Sequence, residues 1–140
     1  MRGMRTFHFL TATAVLLAGC ATQSTAPISK PVTTPSGLVY QSLREGTGTP
    51  PKATDVVKVY YRGTFPDGKE FDSSNGSPVE FPLNRVIKCW TEGVQMMKPG
   101  GKAHLICPPQ IAYGERGAGG VIPPNATLHF DVELLDVVRK

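Results

Sequence analysis

Residues 55 to 65, DVVKVYYRGTF, alternate with a period of two: Val57, Val59, Tyr61 and Phe65 fall on one side, Lys58, Tyr60, Arg62 and Thr64 on the other. That period specifies a strand with one apolar face, and such a face has to be covered by something. The same period returns twice. Ala103, Leu105 and Cys107 alternate with Lys102, His104 and Ile106, and Leu128, Phe130, Val132 and Leu134 share one face of a last strand over residues 127 to 138. Leu38 and Tyr40 open a short first strand, and residues 70 to 82 read as broken strand and loop, with Pro78 and Pro82 confining it to an edge. One stretch alone takes a helical period. Asn84 is a candidate N-cap, Val86, Ile87, Trp90, Val94 and Met97 form an apolar stripe, and Pro99-Gly100-Gly101 ends it. A single short amphipathic helix cannot bury its stripe alone. The expected fold is therefore α+β, a curled antiparallel sheet of about five strands wrapped around one helix.

The first residues belong to a different logic. Arg2 and Arg5 supply a basic start, Phe7 to Leu17 an apolar run too short to span a bilayer, and Leu17-Ala18-Gly19-Cys20 resembles a bacterial lipobox. The expectation is a lipoprotein signal over residues 1–19, with Cys20 carrying the lipid and tying the chain to a membrane, most plausibly the outer membrane with the domain facing the periplasm. Residues 20–36 continue as a Ser/Thr/Pro tether, and residues 37–140 form one folded domain. The net charge of +4 includes Arg2 and Arg5, and the remaining basic residues are scattered among acids. No nucleic acid is expected as a partner.

Aromatic residues recur through the apolar series at Tyr61, Phe71, Phe81, Trp90, Tyr113 and Phe130. Rings at alternating strand positions are ordinarily core. Two neighbours change the reading: Asp72 directly follows Phe71, and Tyr113 lies in the loop IAYGERG, where a core ring is out of place. A carboxylate and a phenol beside an apolar cluster describe a greasy pocket with a few polar anchors.

The segments VYYRGTFPDGKEFDSS, VIKCWTEGVQMMKPGGKAHLICP, AYGERG and IPPNATLHFDVELLDV resemble, in that order, the FKBP-type peptidyl-prolyl isomerases, and the bacterial branch that includes the macrophage-infectivity potentiators in particular. The resemblance runs from about residue 37 to the end. It implies the same curled sheet on one helix, and peptidyl-prolyl cis-trans isomerase activity on proline-containing segments of exported proteins. It also implies macrolide inhibitors as ligands of the same pocket, and no cofactor or metal. Carried residue by residue, it makes Trp90 the floor, Tyr61 and Phe71 walls, Val86 and Ile87 one lip and Ile122 another. Asp72, Tyr113 and Phe130 become the catalytic set, with Tyr113 donating to a substrate carbonyl and Asp72 either orienting the peptide or holding Tyr113. Val79, Cys89, Ala118, Gly119 and the short Asn84-Arg85 link depart from the best-known eukaryotic members, which bears on macrolide affinity and substrate preference. The competing reading is an envelope chaperone that binds proline segments without turnover.

Two cysteines remain once Cys20 is set aside. Cys89 lies beside Trp90 on the helix and Cys107 ends a strand whose inward side faces that helix, so a disulfide and a pair of buried thiols are both open. His104 and His129 share the outer parity of their strands and are candidates to be neighbours. Two histidines without a third ligand are a poor zinc site, and the expectation there is solvent-facing side chains.

Overall fold

The computed structural model of the protein describes residues 29–138. The expected signal, Cys20 and the start of the tether lie outside the described residues. Seven strands follow in chain order: β1 (Val32–Thr33), β2 (Val39–Arg44), β3 (Val56–Thr64), β4 (Glu70–Ser73), β5 (Val79–Pro82), β6 (Lys102–Cys107) and β7 (Leu128–Val138). The helix α1 (Lys88–Val94) intervenes between β5 and β6. All strands join one antiparallel sheet in the order β1-β2-β6-β7-β3-β4, with β5 also paired to β3.

The count exceeds the expected five for two reasons. The broken segment makes two separate ladders on one side of β3, β5 against Val56 to Val59 and β4 against Arg62 to Thr64. The second reason lies in the stretch expected as tether, where Val32 and Thr33 pair with Tyr40 and Val39. The Thr34 amide also donates to the Leu38 carbonyl, and the Ser36 hydroxyl to Glu92. A strand of two residues shows no periodicity, so only its partner reveals it.

The inward residues of β3, β6 and β7 are the core. Val57, Val59, Ala103, Leu105, Cys107, Leu128, Val132 and Leu134 are fully buried, and Val94 and Cys89 meet them from the helix. The alternation of β7 carries through to Leu134 and then shifts, because Lys58 faces Asp136 while Val59 faces Leu134, leaving Leu135 as an extra residue. Such a bulge bends the strand and increases its twist, which helps the sheet curl over the helix. Gly93 allows the helix to sit close: a Cβ there would lie 3.0 Å from both methyl carbons of Leu105.

The helix is shorter than its apolar stripe. Leu83–Arg85 form one 3-10 turn, Val86 is extended (φ −114°, ψ 173°), and Ile87 stands at the N-cap without a side-chain cap. Asn84 is therefore not the cap. Two successive β-branched residues disfavour the helical conformation, and the Leu83 carbonyl is satisfied by the Thr91 hydroxyl, 2.6 Å away. Val86 and Ile87 leave the helix and face elsewhere.

Cys89 of α1 and Cys107 of β6 are joined by a disulfide, with Cα atoms 5.7 Å apart. The bond pins the helix to the sheet next to Trp90. Closing a loop of this length stabilises a domain by about 3 kcal/mol in the chain-entropy model. Replacing both, Cys89→Ser with Cys107→Ser, is expected to lower the urea midpoint and to raise the m-value, because the unbridged denatured chain exposes more surface. An unchanged midpoint would show that the bond does not contribute.

Candidate functional site

The concave face of the sheet and the helix start enclose a cavity of about 410 Å³. It is lined by Tyr61, Asp72, Phe81, Arg85, Val86, Ile87, Trp90, Tyr113 and Phe130. Trp90 is the floor. Tyr61, Phe81 and Phe130 stand edge-on to its indole, with ring centroids 5.3, 5.5 and 5.4 Å away and interplanar angles of 84°, 82° and 89°. Edge-to-face pairs of this kind are worth about 0.5–1.5 kcal/mol each beyond their buried area. Trp90 Nε1 is the one buried side-chain nitrogen or oxygen among the described residues that lacks a hydrogen-bond partner. An orphaned donor at a cavity floor is a feature that a purely structural core avoids.

The local chain explains why these side chains converge. On β4, Gly63 faces Asp72 while Thr64 faces Glu70, so Phe71 is an extra residue opposite β3. This bulge lets two consecutive side chains serve the same face. Asp72 reaches the cavity and accepts a hydrogen bond from the Tyr61 hydroxyl at 2.8 Å. Phe71 packs behind, edge-on to Phe130 at 5.6 Å and against Phe65 at 4.9 Å. Gly63 makes room for this, since a Cβ there would fall 2.6 Å from Phe71 and 2.9 Å from Phe130. Val86 and Ile87, released from the helix, form the lip above Trp90.

Tyr113 arrives from the loop after the 3-10 turn Pro109–Ile111. The loop is held by the Gly114 amide on the Pro109 carbonyl and the Asn125 amide on the Gly114 carbonyl. Tyr113 is 40% exposed, and its hydroxyl has no hydrogen-bond partner among the described residues, which leaves it free to donate to a ligand. Burial first, and then the negative charge of Asp72, raise its pKa. Tyr61 is pushed up to about 12 by burial and by its hydrogen bond to Asp72. Both phenols therefore keep their protons at neutral pH.

Several expected placements change. Asp72 holds Tyr61 rather than Tyr113. Phe71 supports a wall from behind instead of lining the cavity. Ile122 is buried beneath the 116–124 loop, bridged to Ala118, and borders a separate groove with Phe65, Lys69 and Arg116. Two lining residues were given no role in the expected site, Phe81, which belongs to the aromatic series, and Arg85. Phe81 carries the signal of an aromatic on a strand next to Pro82. Arg85, exposed at the rim and without an ion pair among the described residues, carries no sequence signal at all.

Comparison with known proteins adds to this geometry. A family model described as FKBP-type peptidyl-prolyl cis-trans isomerase matches residues 47–135. A probable FKBP-type peptidyl-prolyl cis-trans isomerase of Haemophilus influenzae is 57% identical over 110 residues, covering 77% of this chain and 46% of that protein. The peptidyl-prolyl cis-trans isomerase Mip of Coxiella burnetii is 48% identical over 107 residues, covering 75% of this chain and 46% of that one. The crystal structure of FkpA from Escherichia coli superposes with a TM-score of 0.75 at 52% identity, covering 78% of this chain and 52% of that chain. The chain thus spans about half the length of these relatives.

The Tyr61 hydrogen bond has a pH signature. A raised folded-state pKa means that its contribution to stability is fully present below about pH 10, the ordinary tyrosine value. It is lost as pH rises through about 12. A ring-resolved NMR titration should place Tyr61 near that value, and Asp72→Asn should bring it down while burial keeps it above the ordinary one. A Tyr61 that titrates alike in both proteins would mean that the carboxylate does not hold it.

Proposed function

This chain belongs to the FKBP-type peptidyl-prolyl cis-trans isomerase family, and from that premise we propose that its cavity accelerates rotation about X–Pro bonds in polypeptide substrates. The observation that carries the proposal is the aromatic floor: an indole ringed by three edge-on aromatic side chains, with the carboxylate and the Tyr113 hydroxyl at the rim.

Uncatalysed X–Pro isomerisation takes tens to hundreds of seconds, because rotation breaks amide resonance against a barrier of about 18–20 kcal/mol. In the twisted amide that resonance is lost, the carbonyl is less polarised and the nitrogen more pyramidal. Entering an apolar cavity costs the twisted form less than the planar one. The cavity therefore binds the transition state better than the ground state, which is the condition for catalysis. Proline has no N–H to strip of water, so its ring is buried against Trp90 at low cost. The free Tyr113 hydroxyl is positioned to donate to a substrate carbonyl and fix the peptide. Asp72 acts through Tyr61, keeping that ring edge-on to the floor. No nucleophile or proton transfer enters the reaction.

The purified protein should shorten a proline-limited refolding phase. Tyr113→Phe removes one hydrogen bond, worth about 0.5–1.5 kcal/mol, so kcat/KM should fall about 2- to 10-fold with the fold intact. Trp90→Ala and Phe130→Ala should lower it much further. Each of these also costs about 3–5 kcal/mol of stability, so near-UV circular dichroism has to confirm folding first. An unaccelerated refolding phase together with measurable binding of proline peptides would instead establish a holding module.

We also propose that the protein works in the bacterial envelope, anchored by lipid on Cys20. The support is the lipobox-like Leu17-Ala18-Gly19-Cys20 behind a basic start and a short apolar run, and a disulfide, which persists in oxidising compartments. Among the described residues no helix is long and apolar enough to cross a membrane. Mass spectrometry of the native protein should find a lipidated N-terminal Cys20, and Cys20→Ser should release the protein from the membrane fraction. A native protein that starts elsewhere and bears no lipid would contradict this.

A further inference from the structure

The convex face of the sheet carries a second constellation, remote in chemistry from the cavity. His104 on β6 and His129 on β7 come together there. Their ring centroids are 5.3 Å apart, and His104 Nε2 lies 3.2 Å from His129 Nδ1, the two sharing a hydrogen bond. The other nitrogen of His104, Nδ1, donates to Asp131 Oδ1 at 2.7 Å. The register fixes the arrangement: His104 is opposite Asp131, Ile106 opposite His129, and both histidines sit at the outward parity. We propose that His104 and His129 bind Cu²⁺, with Asp131 orienting His104 and water completing the coordination.

Two features support this. The first is spacing. Two nitrogens held at about 2.0–2.1 Å from one ion lie about 2.9 Å apart at a right angle and about 3.4 Å apart at a tetrahedral angle. The observed 3.2 Å falls between these, so the two ring nitrogens already stand at a chelating separation. The second is the outer partner. A ligating histidine that donates its far N–H to a carboxylate has its tautomer and ring direction fixed and its ligating nitrogen made more basic. His104 has that arrangement. Asp131 is free to provide it because Arg62, its cross-strand neighbour, is paired with Glu70 at 2.7 Å.

The surroundings tolerate the added charge. Gln41 faces His104 from β2 and Thr64 faces His129 from β3. On the next row Lys102 faces Glu133, which is bonded to Arg44 at 2.8 Å. Among the described residues no group of three histidine, cysteine or acidic side chains gathers to close the coordination sphere. The site is thus an open one, and it favours the ion that binds nitrogen most strongly, Cu²⁺.

The test is site-resolved NMR on the whole chain titrated with substoichiometric Cu²⁺, whose paramagnetism broadens the signals nearest to it. Broadening should centre on His104, His129 and Asp131 at neutral pH. It should vanish there in His104→Ala and in His129→Ala, with the amide spectrum of each variant showing that the fold is kept. Asp131→Asn should weaken binding by about 10- to 100-fold, the usual cost of losing an outer-shell partner. Broadening centred elsewhere, or persisting around β6 and β7 in both alanine variants, would overturn the assignment, as would no broadening at all.

Discussion

Three aromatic rings stand edge-on to the Trp90 indole, and the rest of the molecule is arranged so that they do. Tyr61 and Phe130 project from neighbouring strands of the sheet, Phe81 from the short β5, and Trp90 itself from the start of a seven-residue helix. The four-residue β5 and the short helix are not long enough to fix their own positions. The disulfide from Cys89 to Cys107 ties the helix to β6 one residue from Trp90, and Gly93 brings the helix down onto Leu105. The close fit of the rings is possible because the strand beneath them has a glycine, Gly63, where any side chain would collide with Phe71 and Phe130.

The polar groups are placed by the same economy. A carboxylate inside an aromatic cavity would be costly to desolvate. Asp72 stays exposed at the rim and meets the cavity through the Tyr61 hydroxyl. Tyr113 comes from a loop and leaves its own hydroxyl unengaged. The result is a cavity with an aromatic floor and polar groups at its edge. The two faces of the curled sheet are thereby distinct: the concave side carries the rings, and the convex side carries the part-buried pair His104 and His129.

Much of this was legible in the chain. The alternation over Val57, Val59 and Tyr61 and over Leu128, Phe130, Val132 and Leu134 fixed which side chains face inward, since period two leaves only one choice. Trp90 and Val94 are buried as their helical spacing requires, and Met97, past the helix end at Val94, is buried as well. Other features depend on partners rather than on the local sequence. The bulge that turns both Phe71 and Asp72 to one face exists only relative to β3. The helix begins late because Val86 and Ile87 gain more as a lip than as a helical turn, which periodicity cannot reveal. Ile122 shares an apolar character with lip residues, but the bridge from Ala118 to Ile122 draws it under its own loop. Arg85 reaches the rim only because the 3-10 turn aims it there.

The central claim is that a water-excluding aromatic cavity is sufficient to speed rotation about an X–Pro bond. Exchange NMR on a short Leu-Pro peptide measures that step alone, free of folding and of any downstream event. With catalytic amounts of the protein, cis and trans signals that otherwise interconvert over tens to hundreds of seconds should exchange within seconds, and the effect should be lost with Trp90→Ala. A peptide that shifts the Trp90 indole signal on binding, yet interconverts no faster than in buffer, would contradict the account.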